Sequence, residues 1–189
     1  GKIIKVLGEE KDGKIIANRI AKYRNKKKIE TSEELASIIN KAKKNFQYYR
    51  KNPATKTFQA IRIFVNKELT ELTEGLTEAT KLLSDGGILI IVSFHSLEDR
   101  IIKSFFNICS NMDNPSRYLP IKNNENKFFK LFLKKPLYPD PKEIEKNTRS
   151  RSAKLRYAIR NKNFFVNPNE FSGKFLKYIK LEEGYDKQT

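Results

Sequence analysis

The chain is poor in the residues that build metal and disulfide sites. Its 189 residues hold one cysteine, Cys109, one histidine, His95, and no tryptophan. A single cysteine excludes an internal disulfide framework and any cysteine-based zinc cluster, and one histidine leaves too few ligands to replace it. No metal is expected. No apolar run approaches the ~18–20 residues of a membrane span, and there is no secretory leader pattern; the expectation is a cytoplasmic protein away from the membrane. Also missing are a G-x-G-x-x-G turn, a P-loop and a Ser nucleophile elbow. If a sheet in this chain serves a nucleotide-like cofactor, the cradle is not encoded in it.

Acidic residues are scarce as well: 22 Asp and Glu stand against 39 Lys and Arg, a net charge of +17. Such an excess favours a polyanionic partner, because each cation placed on a phosphate releases a condensed counterion. Lysine-rich usage through genome bias is the competing explanation of the same number. The length suits one sizeable domain or two small ones. The sequence opens Gly-Lys-Ile rather than with Met, which reads as a trimmed start or a piece of a longer protein.

What is present reads as helices around a short strand. In "KIIANRIAKYRNKKK" Ile16, Ile20 and Tyr23 share a helical face. "TSEELASIINKA" carries a capping box: the Thr31 hydroxyl accepts from the Glu34 N–H while the Glu34 carboxylate reaches back. Apolar residues at steps of three and four from Phe58 to Leu83 predict one helix over about 56–83, ~40 Å long, ended by "SDGG". Ile88 to Val92 is an apolar run without alternation, which predicts a strand buried on both faces. "SLEDRIIKSFF" predicts the next helix, so helix, strand and helix follow one another in the rhythm of an open parallel sheet. A polar loop of about 20 residues, a strand over 128–133, a proline-rich loop and a strand over 153–160 complete the pattern. In that last strand Leu155, Tyr157 and Ile159 are expected to face the core. The residues after Asn161 predict at most a loosely docked helix.

The stretch with the lone histidine, "SFHSLEDR", has two readings. In one, Ser96 and Asp99 cap the helix, with Glu98 and Asp99 on its positive end and Arg100 paired to either acid. In the other, Ser93, Phe94 and His95 lie where a buried strand empties into a loop, the end at which open α/β sheets bind ligands. "NTRSRSAKLRYAIR" gathers Arg149, Arg151, Lys154, Arg156 and Arg160, either a solvated strand edge or a strip for phosphate oxygens. Arg62 and Gln59 are polar residues on an otherwise apolar helix and need partners.

These segments, in this order, closely resemble the small-subunit rRNA cytosine-N4 methyltransferases of the RsmH/MraW family. The resemblance rests on "LGEE" at 7–10, "IANRIAKYR" at 16–24, "NPATKTFQAIRIFVNKEL" at 52–69, "GGILIIVSFHSLEDRIIK" at 86–103, "LKKPLYP" at 133–139 and "NTRSRSAKLR" at 147–156. It covers about residues 7–160. Leu7, Asn52, Lys56 and Thr148 depart from the family's usual Tyr, His, Arg and Pro. The resemblance implies an α/β fold: the C-terminal part of a Rossmann-like class I methyltransferase sheet plus part of an inserted helical domain. Residues 1–50 would be the remainder of that all-helical substrate-recognition domain, 51–160 the C-terminal part of the methyltransferase domain, and 161–189 a basic tail. The strands would be the fifth, sixth and seventh of the sheet, the seventh antiparallel.

The resemblance further implies S-adenosyl-L-methionine as cofactor, its main binding loop lying in a family half that this sequence lacks. The partner would be 16S rRNA in the small ribosomal subunit, with a homodimer left open. The reaction would methylate N4 of a cytidine in the decoding region. Phe94 or His95 would position the base, Asp99 or Glu98 would orient His95 or its loop, and Arg149, Arg151, Lys154 and Arg156 would hold phosphate. Ser93, Ser96, Arg100 and Arg62 complete the candidate substrate-binding set. The rival readings are a non-catalytic RNA-binding fragment without a cofactor site, and a piece with no stable fold alone.

Overall fold

In the computed structural model, residues 1–43, 52–110, 127–163 and 169–184 are described. The polar loop expected after Ser110 falls almost wholly outside them. The chain divides into two compact units, Gly1–Glu68 with Lys177–Thr189, and Leu69–Leu176. Among the described residues no helix is long and apolar enough to cross a membrane.

The first unit is helical: α1 (Lys2–Leu7), α2 (Gly13–Arg24), α3 (Ser32–Ala42) and α4 (Thr55–Asn66). Ile4, Ile16, Ile39 and Ala54 form its core, with Ile20, Leu35 and Phe58 packed around them. The "LGEE" motif has a packing reason. A Cβ on Gly8 would run into the Lys56 carbonyl oxygen and lie 2.7 Å from that of Ile4, so only glycine lets α1 end against α4. Two residues on, Glu10 is buried and accepts from Lys43 Nζ at 2.5 Å. Lys43 Nζ also donates to the Pro53 carbonyl at 2.6 Å. Burial pushes the Glu10 carboxyl up, but the Lys43 hydrogen bond and charge outweigh it and hold the group below its ordinary value.

Thr31 caps α3 as its spacing predicts, accepting from the Glu34 N–H at 3.1 Å. The Glu34 carboxylate does not close that box. It takes the Glu30 N–H (3.1 Å), the Tyr23 hydroxyl (2.9 Å) and Lys27 Nζ (2.9 Å).

The single long helix expected over 56–83 is two. After α4, Lys67 adopts φ 52°, ψ 37°, its N–H returns to Ile63 and Phe64, and α5 (Glu68–Leu82) begins. A left-handed non-glycine residue costs about 1–2 kcal/mol. Steps of three and four carry across a one-residue break, so periodicity did not register it. Gly75 interrupts nothing.

The second unit holds β1 (Ile88–Ser93), α6 (Ser96–Cys109), β2 (Phe129–Lys130), α7 (Pro141–Lys146), a 3-10 turn (Thr148–Ser152), β3 (Lys154–Arg160) and the first part of α8 (Asn169–Glu183). The sheet order is β1-β3-β2, with β3 antiparallel to both neighbours. β1 and β2 therefore point the same way, yet no two described strands of the sheet pair in parallel. Gly86, at φ 78°, makes the turn into β1; its N–H donates to the Arg160 carbonyl at 2.9 Å, and the Arg160 N–H returns to Gly87 at 2.8 Å.

Two expectations about faces fail. β1 is not buried on both sides: Ile88, Ile90 and Val92 are exposed, and only Ser93 is fully buried. On β3 the sides are reversed. Ala158 and Arg160 are buried, whereas Leu155, Tyr157 and Ile159 are only half covered. α6 lies over the charged side, where Arg160 Nη1 donates to Phe128 O at 3.2 Å and Asn161 O at 2.6 Å and the guanidinium stands over the Phe128 ring.

The strand expected over 128–133 shrinks to two residues, and the expected loop beyond it contains α7, which Asp140 caps by accepting from the Glu143 N–H at 2.8 Å. The tail forms α8, and Phe171 and Phe175 are buried with Phe105, Phe106 and Phe129 in a chain of ring contacts 4.9–6.2 Å between centroids.

Candidate functional site

The carboxyl end of β1 runs into α6 through Phe94 and His95. His95, extended at φ −139°, ψ 166°, is the capping residue, one position before the expected Ser96. Its Nδ1 accepts from the Glu98 N–H at 3.3 Å. Glu98 answers with its carboxylate, accepting from the Phe94 N–H at 2.8 Å and the His95 N–H at 3.2 Å. The capping box is thus His95 with Glu98, and Ser96 is the exposed first residue of the helix. The shift follows from ring geometry: an imidazole nitrogen spans the distance a serine hydroxyl normally covers at this position. An Nδ1 that accepts leaves the proton of the neutral ring on Nε2, which lies 3.4 Å from Glu98 Oε1. Among the described residues Phe94 is held through its backbone N–H, and its ring is 55% exposed.

One turn into α6, Asp99 faces β3. Its carboxylate takes Arg156 Nε at 2.7 Å and Lys154 Nζ at 3.0 Å. The Asp99 and Arg156 side chains are only 14% and 10% exposed, Lys154 30%. Burial pushes the Asp99 carboxyl up, but hydrogen bonds from Arg156 and then Lys154, with their charges, bring it below the ordinary aspartate value. Arg156 Nη1 also donates to the Lys134 carbonyl at 3.1 Å. These contacts tie the helix to the strand.

Antiparallel register brings the other basic motif alongside. Ser93 opposes Lys154, and its Oγ donates to the Lys154 carbonyl at 3.4 Å. The turn that precedes β3, Thr148–Ser152, is therefore next to the loop that follows β1. That turn is stitched from within: Asn147 Oδ1 accepts from the Arg149 N–H at 3.2 Å, and the buried Ser150 donates to the Asn147 carbonyl at 2.8 Å. Arg149 and Arg151 alternate outward and are exposed. An exposed ring and two outward arginines at one end of a sheet form a surface suited to a nucleobase and its phosphates.

A model of the MraW methylase family matches residues 1–161. The chain belongs to that family. A protein called ribosomal RNA small subunit methyltransferase H from Sulfurihydrogenibium sp. (strain YO3AOP1) is 47% identical over 159 residues, covering 84% of this chain and 50% of the relative. Relatives of the same name from Ehrlichia canis (strain Jake) and Persephonella marina (strain DSM 14350 / EX-H1) are 48% identical over 159 residues and 46% over 160, each across 84% of the chain. The chain spans about half the length of these curated relatives.

Within this MraW-family chain, Ser93, Phe94, His95, Ser96, Glu98, Asp99, Lys154 and Arg156 come together around the end of β1, with Arg149 and Arg151 in the adjoining turn. Arg100 is exposed on α6, and the groups that meet Asp99 come from 55 and 57 residues away. Arg62 belongs to the helical unit, where Nε and Nη2 fork onto Glu68 at 2.7 and 2.9 Å. Asn147 and Ser150 were not singled out as builders of the arginine turn; the asparagine two residues before an N–H it can accept is the signal that was there to read.

Proposed function

We propose that this chain is the substrate-facing part of an enzyme that methylates the exocyclic N4 of a cytidine in the decoding region of small-subunit rRNA. The observation that carries the reading is the Ser93–Lys154 register, which sets the Phe94–His95 loop beside the Arg149–Arg151 turn. The names of the relatives support the substrate class. The strand order β1-β3-β2 with a central antiparallel strand supports the last three strands of a Rossmann-like class I sheet. The helices of residues 1–50 would be the rest of an inserted recognition domain, and residues 51–160 the end of the methyltransferase domain.

S-adenosylmethionine is the family's methyl donor, and the described residues do not fit it. The paired glycines, Gly86 and Gly87, sit at the amino end of β1 and are engaged by the Arg160 backbone. The carboxyl end is closed by the His95–Glu98 cap. Among the described residues neither end of β1 pairs an unengaged glycine turn with an acid for the donor's ribose, so the donor would be held by sequence outside these residues, and no transfer step follows from this chain alone.

What these residues do is position. A cytidine N4 lone pair is delocalised into the ring, so the base must be held at near-attack geometry, out of its stack. Phe94 receives the face of the extruded base. Glu98 fixes the loop through the Phe94 and His95 N–H groups, and the buried His95 ring, capping α6, sets the direction in which Phe94 faces the base. Arg149 and Arg151 hold the flanking phosphates. Asp99 acts through Lys154 and Arg156 by locking α6 to β3.

The test is made in an intact relative, on small ribosomal subunits with labelled methyl donor, reading N4-methylcytidine in nuclease digests. Substituting alanine for the histidine that matches His95 should lower turnover by about 10²-fold or more. Unchanged turnover removes the positioning role. A wild-type enzyme that labels RNA but not at cytidine N4 removes the reaction.

A further inference from the structure

The helical unit carries a second basic surface, distinct in its residues from the loop at the end of β1. α2 and α3 enclose an open groove of about 370 Å³. Along α2 the groove is lined by Arg19, Lys22 and Tyr23, at i, i+3 and i+4 on one helix face, and by Lys26 in the turn that follows the helix; along α3 the i, i+3, i+4, i+7 spacing brings Glu34, Ser37, Ile38 and Lys41 to it. Arg19, Lys22, Lys26 and Lys41 are exposed, and among the described residues none of these four side chains donates to a carboxylate. Among the described residues that line the groove, the acid, Glu34, is already used. Hydrogen bonds from Lys27 first, then from the Glu30 N–H and Tyr23, bring its carboxyl down to about 2. The rim therefore presents four cations without a matching acid, over a floor with an apolar side chain, Ile38, and one aromatic ring. Tyr23 is half-buried and its hydroxyl is fixed on Glu34 at 2.9 Å.

We infer that this groove binds a single strand of RNA, with the four cations on its phosphates and Tyr23 against a base. This rests on the rRNA reading above and adds to it a contact surface on the helical unit. A concave basic track with an aromatic ring set in it is the arrangement that fits single strands, whose bases are free to stack; a duplex offers a convex backbone that leaves the ring and Ile38 without a partner. Four phosphate contacts on a single strand correspond to a slope of about −2.8 in log K against log salt.

The experiment uses the full chain, a fluorescein-labelled mixed-sequence 12-nucleotide RNA and a duplex of the same length, read by anisotropy. R19Q/K22Q/K26Q/K41Q is compared with K2Q/K5Q/K11Q/K14Q, which removes the same charge from exposed positions of the same unit. The groove variant should lose about 2.8 from the salt slope on the single strand, so that the ratio of wild-type to variant affinity falls about 50-fold between about 50 and 200 mM salt. The control set should change the slope by less than about 1. K22Q/K26Q and R19Q/K41Q, each expected to carry half the effect, serve if the quadruple variant loses its far-UV melt. Equal losses from the two sets, or tighter binding of the duplex than of the strand, would overturn the inference. A wild-type chain with no affinity for either RNA would overturn the rRNA reading along with it, an outcome distinguishable from a groove variant that binds like the wild type.

Discussion

Replacing Asp99 by asparagine tests whether the site is held in place by the tie between α6 and β3. The substitution keeps shape and removes charge. The new carboxamide can still accept one hydrogen bond from Arg156, but two bonds between opposite charges become one bond from a cation to a neutral oxygen, and a guanidinium only 10% exposed loses its counter-ion. A hydrogen bond to a charged group is worth about 1.5–3 kcal/mol, and breaking a fully buried pair costs about 3–5 kcal/mol. Lys154, at 30% exposed, turns to water at little cost. The expected loss is therefore about 2–3 kcal/mol, below the fully buried range. With a urea m-value of about 2 kcal/mol/M, the unfolding midpoint should fall by about 1 M.

The pH dependence has a definite sign. The folded Asp99 carboxyl lies below its ordinary value, so its contribution is fully present above the unfolded pKa of about 3.9 and is lost as pH falls through the folded value. The gap between wild type and D99N should hold from about pH 8 to 5 and close below about pH 4. In the double variant D99N/R156Q the two losses should fall short of additive by about 1–2 kcal/mol. A midpoint change under about 0.2 M, or a gap that persists undiminished at about pH 3, refutes the argument.

Gly8→Ala should destabilise by about 1–3 kcal/mol despite alanine's better helix propensity, because the new Cβ meets two backbone oxygens that cannot rotate away; a rise in the melting temperature contradicts the close approach of α1 to α4. Lys43→Met should cost about 3–5 kcal/mol at neutral pH by leaving the buried Glu10 carboxylate unpaired. With Lys43 gone, burial remains as the leading influence on Glu10, so the variant should regain stability relative to wild type as the carboxyl protonates in acid, measured by urea melts across pH. Cys109 is buried and its thiol is pushed up to about 12 by that burial, so it should react with Ellman's reagent only on global unfolding. Rapid labelling of the native chain would place it elsewhere.

Which elements form was legible wherever side-chain spacing decides locally. Thr31 stands three residues before Glu34 and caps α3; Leu97, Ile101, Ile102 and Phe105 line the buried side of α6. The position of "SFHSLEDR" at a strand end followed from an apolar run ahead of an amphipathic one. What escaped were choices between near-equal local options. His95 and Ser96 are neighbouring candidates for one cap, and the geometry of Glu98 selected the histidine. The break at Lys67 leaves the apolar spacing intact on either side.

Composition and pattern by themselves determined that this is a basic protein of mixed helix and strand without a disulfide or cysteine-zinc scaffold, and they carried motifs specific enough to mark its family. Tertiary structure decided which face of each strand is inside. On β3 the charged side turned inward, against what alternation implies, because Asp99 comes from α6 and the Lys134 carbonyl from the segment before α7 to satisfy Arg156, while the Phe128 and Asn161 carbonyls accept from Nη1 of Arg160. Those partners lie from one to 57 residues away along the chain. Alternation records only where a side chain points; whether a charge can be buried depends on what waits for it there, and for Arg156 that was set by packing.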